Sequence, residues 1–181
     1  MKHTSNITRN IVVTALMAAL TCVATMVIQV PSPMQGYVNL GDGFVLLSGI
    51  LLGPLYGTAA AGIGSMFADL LIGYAHYAPG TLLIKAAAAL AGGLIYQLLR
   101  KVRAGGKVPV LPVIAAGIGV NAIVVVGYFG YASLLLGKGL AAAASIPGNI
   151  IQGIFGIIVA CILVPILEQI PAVRKFTSPQ P

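Results

Sequence analysis

The chain has 181 residues, of which 59% are hydrophobic and only 7% charged, with a net charge of +7. A mean hydropathy of +1.02 belongs to a protein that lives in lipid. It excludes a soluble enzyme, a disordered chain and a disulfide scaffold, all of which need a far more polar surface. Charge of this sign can mean nucleic acid. Here, however, the basic residues cluster at the ends of apolar runs, so the expected partner is an anionic membrane surface, with no nucleic acid. Cys22 and Cys161 lie inside apolar runs without CxxC or Cys/His spacing, so no metal site or other cofactor is indicated.

Six apolar runs are long enough to be read as bilayer crossings, at about 8–30, 40–54, 55–73, 78–99, 110–136 and 144–170. They fill the chain as one membrane domain, 1–181. The first follows Lys2 and Arg9 as a signal peptide would. It is longer than a signal h-region and no A-x-A cleavage site follows it, so it reads as a true span. The second and third meet at Gly53-Pro54, where Pro breaks the helix and Gly permits a tight turn. Residues 40–73 thus read as two spans, against the competing reading of one kinked helix. The runs are continuous rather than alternating, which excludes a β-barrel.

Orientation follows from the basic residues. Lys2, Arg9, Arg100, Lys101, Arg103, Lys107, Arg174 and Lys175 fall on one side and Lys138 on the other. By the positive-inside rule both termini are cytoplasmic, in a multi-pass protein of the cell membrane. Small residues recur four apart at Ala15/Ala19, Gly53/Gly57, Ala60/Gly64, Ala88/Gly92 and Gly156/Ala160. Such notches let helices approach. Most are expected to pack within the bundle, while Ala15/Ala19 on the first span is the candidate surface for docking a second membrane protein.

Charged groups within a span are costly and call for a reason. Asp69 and Lys85 fall at similar depth in the outer half and are expected to form an ion pair. Lys85 either contacts a ligand or braces its pocket. Asp42 begins the second span, where a carboxylate suits the positive end of the helix dipole. Asn149 and Gln152 share a helical face. Asn121, Tyr128 and Tyr131 stack along the fifth span, Gln35, Tyr37 and Asn39 occupy one outer loop, and Tyr74, His76 and Tyr77 another. Aromatics with a few aimed amides suit a small ring-containing ligand. On the cytoplasmic side Glu168 is expected to pair with Arg174 or Lys175. Polar residues stop about halfway through the bilayer, which describes a cup rather than a pathway. A phosphate-binding loop, HExxH and paired carboxylates are all missing, so the chain is not read as an enzyme. An autonomous small permease or channel is the alternative reading.

The segments Gly36-Tyr37-Val38-Asn39-Leu40-Gly41-Asp42, Leu52-Gly53-Pro54, Gly64-Ser65-Met66-Phe67-Ala68-Asp69-Leu70, Tyr77 to Lys85 and Ile146-Pro147-Gly148-Asn149-Ile150-Ile151-Gln152-Gly153, in this order, resemble the substrate-binding S components of energy-coupling factor (ECF) vitamin transporters. The resemblance implies an all-α bundle of six transmembrane helices and a pocket opening outward beneath the loop 31–39. It implies a membrane coupling subunit and two ATP-hydrolysing subunits as partners, and docking through Ala15 and Ala19. In that frame Gln35, Tyr37, Asn39, Lys85, Asn121, Tyr128, Tyr131, Asn149 and Gln152 form the substrate site. Relatives often carry a carboxylate after the Tyr-Phe of span five. Here Tyr128-Phe129-Gly130-Tyr131-Ala132 has none, so a cationic substrate is not expected to be recognised at that point. The chain has no Trp, which favours a small heteroaromatic such as pyridoxine or hydroxymethylpyrimidine. Riboflavin, pantothenate and cobalamin stay open.

Overall fold

The computed structural model describes residues 2–32, 36–102, 110–171 and 173. The order is α1 (Lys2–Val27), β1 (Gln29–Ser32), β2 (Gly36–Asn39), α2 (Gly41–Leu71), α3 (Ala78–Val102), α4 (Val110–Gly130), a π-helical turn (Tyr131–Leu135), a 3-10 segment (Gly139–Ser145) and α5 (Ile146–Leu167). Among the described residues, five helices are long and apolar enough to cross a membrane. Leu16, Leu55, Leu83, Leu98, Ile118, Val126, Phe155 and Ile162 are exposed. That outer layer suits contact with lipid chains rather than water.

α2 is the centre of the bundle and is not one straight rod. Gly53 adopts φ 75°, ψ −176° inside it, immediately before Pro54. The chain reverses there: a Cβ placed on Gly57 would lie 2.2 Å from the carbonyl oxygen of Ser48 and 2.9 Å from the Cα of Gly49. In a straight helix those positions would be about 12–14 Å apart. The two legs, residues 41–52 and 54–71, therefore lie side by side, and the ends of α2 return to the same end of the molecule. The positive φ explains the glycine, since a side chain there would be strained.

The first leg has 12 residues and rises about 18 Å, short of the roughly 30 Å hydrocarbon core. Its N-terminus with Asp42 accordingly starts inside the bundle. The missing depth is filled by a hairpin in which Gln29, Val30, Pro31 and Ser32 of β1 face Asn39, Val38, Tyr37 and Gly36 of β2. The expected first span ran to residue 30; α1 stops at Val27 because its last residues join this hairpin.

The small-residue notches are filled within the chain. Hypothetical Cβ atoms on Gly49 and Gly64 would lie 2.2 Å from Ala89 O and 2.3 Å from Ala18 O, and one on Gly156 would lie 2.9 Å from Gly43 N. α3, α1 and α5 thus each press their backbone on α2, where dispersion contacts hold them. Ala15 and Ala19 differ. Both are exposed on the outer face of α1. The core of Val45, Leu46, Leu47, Ile50, Val113, Val124 and Val164 is dry and centred on α2.

Candidate functional site

At the end of the bundle carrying the hairpin and the turn at residues 72–77, a pocket partly open to solvent is lined by Thr25, Tyr37, Asn39, Ser65, Asp69, Tyr77, Thr81, Lys85, Tyr128, Ala132, Ser145, Asn149 and Gln152.

A buried polar network forms one wall. Lys85 Nζ donates to Asp42 Oδ1, with both side chains almost fully enclosed. Gln152 Nε2 donates to Asp42 Oδ2 at 2.7 Å. Asn39 N donates to Gln152 Oε1 at 2.7 Å, and Gly41 N donates to Asn39 Oδ1 at 2.8 Å. Each link ties a different element: α3, α2, α5 and β2. Buried charges need such completeness, because a half-satisfied network is worse than none.

The expected ion pair is corrected here. Lys85 pairs with Asp42, not with Asp69. The expectation took the second span to cross the whole membrane, which would put Asp42 at its surface. The short first leg instead sets Asp42 at the depth of Lys85, itself seven residues below the start of α3 and so about 10 Å down. Asp69 Oδ1 accepts from the Tyr37 hydroxyl at 2.5 Å, which fastens the hairpin to the second leg of α2.

Aromatic rings form the opposite wall and the rim. Tyr37 and Tyr74 have ring centroids 4.8 Å apart, His76 and Tyr77 4.8 Å, and Tyr77 and Tyr128 6.2 Å. The Tyr128 hydroxyl pairs with Thr81 Oγ1 at 2.9 Å, and its ring lies 5.3 Å from Lys85 Nζ, within reach of a cation–π contact. Lys138 Nζ donates to the Tyr77 hydroxyl at 2.9 Å.

Of the nine expected substrate residues, Tyr37, Asn39, Lys85, Tyr128, Asn149 and Gln152 line the cavity. Gln35 lies outside the described residues. Asn121 is not on the wall: its Nδ2 donates to Ile150 O at 3.1 Å, and it fills the notch of Gly153, bracing α4 against α5. Tyr131 packs over Gly80 and donates to His76 O at 2.9 Å, so it supports the rim. The π turn beginning at Tyr131 rotates it off the helical line through Tyr128. Sequence reasoning assigned no site role to Thr25, Ser65, Thr81 and Ser145, hydroxyl residues that pass for packing residues among apolar neighbours.

At the other end Glu168 is buried and accepts from Tyr96 Oη at 3.0 Å and from Arg100 at 2.9 Å. The expected partners Arg174 and Lys175 lie outside the described residues, as do Arg103 and Lys107; Tyr96 and Arg100, one turn apart on α3, reach the carboxylate with their long side chains. Among the described residues no group of His, Cys, Asp and Glu is placed to hold a metal.

This cup in an apolar helical bundle has the build of a membrane substrate-binding protein. The fold matches a solved structure of the S component of a bacterial ECF transporter, with a TM-score of 0.63, 22% identity, and coverage of 90% of this chain and 96% of that one. A protein of Pyrococcus woesei described as an uncharacterized protein in a gap 3′ region is 36% identical over 138 residues, which is 76% of this chain and 86% of the relative. Residues 5–169 match the family model of the ECF-type riboflavin transporter S component, and the chain belongs to that family.

Proposed function

We propose that this chain is the substrate-binding subunit of an ECF-type importer of a water-soluble vitamin or vitamin precursor. It sits in the cytoplasmic membrane with both termini inside. Counted leg by leg, the helices make six crossings, with the short leg of α2 completed by the hairpin. A membrane coupling subunit and two ATP-hydrolysing subunits drive the import, and the exposed Ala15/Ala19 strip docks the first of these. The ligand is a small heteroaromatic such as pyridoxine or hydroxymethylpyrimidine, with riboflavin as the alternative carried by the family's name.

The observation that carries this reading is the cavity itself: polar and aromatic at one end, backed by a dry core. Asn149 is the amide on its wall with no hydrogen-bond partner among the described residues, so it is free to meet a ligand. A channel would need polar groups along its whole depth.

Small molecules carried through purification of the chain in detergent, identified by mass spectrometry, test the binding role. One stoichiometric vitamin is the expected result. Flux by the chain alone in liposomes, with no bound vitamin, would favour an autonomous permease instead. Docking is tested separately. Ala15→Trp or Ala19→Trp is expected to abolish uptake by the reconstituted complex while binding stays unchanged, and normal uptake in both variants would remove that strip from the interface.

A further inference from the structure

Asp69 and Ser65 are one helical turn apart on the second leg of α2 and both line the cavity. They are 3% and 1% exposed. Asp69 Oδ1 is engaged by Tyr37, but Asp69 Oδ2 and Ser65 Oγ have no hydrogen-bond partner among the described residues. Asn10 Oδ1 and Asn121 Oδ1 share that condition but belong to residues away from the cavity wall. A buried acceptor without a donor is costly, and a buried charge without a counter-charge more so.

Lys85 is a buried cation of this cavity, and it is in contact with Asp42. Among the described residues no cationic side chain is in contact with Asp69. The side chains facing Asp69 from neighbouring elements, Tyr37 from β2 and Thr81 and Tyr128 around it, are neutral hydroxyls.

Resting on the reading of this cavity as the vitamin site, we infer that its ligand brings the missing donors. Asp69 Oδ2 and Ser65 Oγ receive the N–H edge of a basic nitrogen heterocycle, one with an amino group beside a protonatable ring nitrogen, as in an aminopyrimidine. An amidine-like edge offers two donors side by side. A carboxylate oxygen and a hydroxyl one turn apart, with Cβ atoms about 5–6 Å apart, match that edge. The carboxylate that span five lacks after Tyr128-Phe129 is here supplied from the second leg of α2. The Asp42–Lys85 pair, tied to Gln152 and Asn39, holds the neighbouring wall in place.

The test is calorimetric titration of the whole chain in detergent with 4-amino-5-hydroxymethyl-2-methylpyrimidine, with the same ring lacking the 4-amino group, and with riboflavin. The wild type is expected to prefer the amino compound over its deamino counterpart by about 10- to 100-fold. Asp69→Asn keeps an acceptor for Tyr37 and is expected to erase that preference. Ser65→Ala is expected to reduce it by a smaller factor. The melting temperature of ligand-free Asp69→Asn protein should equal or exceed that of the wild type, because a buried carboxyl oxygen without a donor has been removed. A purely structural Asp69 would instead lower the melting temperature and leave the preference intact, which overturns the inference. Failure of the amino compound to bind the wild type overturns it as well. Tight riboflavin binding that neither substitution changes also sinks it, yet leaves the vitamin-binding reading standing; loss of that broader reading would show as no vitamin at all in the purified protein.

Discussion

The two ends of this bundle both bury charge, and they do so differently. At the basic end one carboxylate, Glu168, receives both Tyr96 and Arg100, and the Arg100 side chain keeps 32% exposure. That cluster is open to water on one side. At the cavity end Asp42, Lys85, Gln152 and Asn39 form a linked and buried network, and it borders Asp69, Ser65 and Asn149, which retain free hydrogen-bonding capacity. Burial of polar groups alone therefore does not mark a site. What marks it is capacity left over next to a network rigid enough to hold that capacity still.

The largest effect is expected from breaking the cavity-end network at its ammonium. Lys85→Met leaves Asp42 buried and unpaired, a change worth about 3–5 kcal/mol of stability. Adding Asp42→Asn to it removes the stranded charge and should recover most of that loss, since replacing a whole buried pair is often close to neutral. Thermal unfolding in detergent reads both. Equal stability of the single and double variants would show that the pair carries no cost of burial. Gln152→Ala comes next. It removes the partner of Asn39 N and of Asp42 Oδ2 and should weaken vitamin binding by about 30-fold, through a wall that no longer holds its shape. Combined with Lys85→Met its effect should be non-additive, because both act on Asp42. Additive losses would mean that Gln152 works apart from the pair.

Much of this was legible before any coordinates. Composition and run length located the helices, and Gly53-Pro54 marked the reversal because a positive φ and a missing N–H leave few alternatives. Asn149 and Gln152 were placed on one wall by their i, i+3 spacing. Depth was less legible. Hydropathy gives the ends of an apolar run but not how far a leg dips, so by hydropathy Asp42 falls at the surface and Asp69 is the expected partner of Lys85. The hairpin that fills the gap is built from only eight residues, including Pro31 and Gly36, too short for a strand signal. Tyr131 and Asn121 are off the cavity wall for two separate reasons: a π turn alters the helical phase after Gly130, and Asn121 is turned sideways into the α4–α5 contact at Ile150 and Gly153. The Tyr96–Glu168 contact joins helices with a whole span between them in sequence, and no local pattern predicts such a contact.

The smallest expected effect is at the other end, and it decides whether the contrast holds. Glu168→Gln keeps an acceptor for the Tyr96 hydroxyl and removes the charge facing Arg100. Arg100 is about one-third exposed and can turn to water, so the loss should be about 1 kcal/mol or less. Affinity for the vitamin should not change, since the dry layer of Val113, Val164 and Leu46 separates Glu168 from the cavity. Titration and thermal unfolding on the same preparation check both halves of the statement. A fall in affinity comparable to that of Gln152→Ala would show that the two clusters are coupled through α5, whose Gln152 and Glu168 lie sixteen residues apart on one rod. The basic end would then report the occupancy of the cup, and the distinction between a structural cluster and an open binding wall would fail at its simplest point.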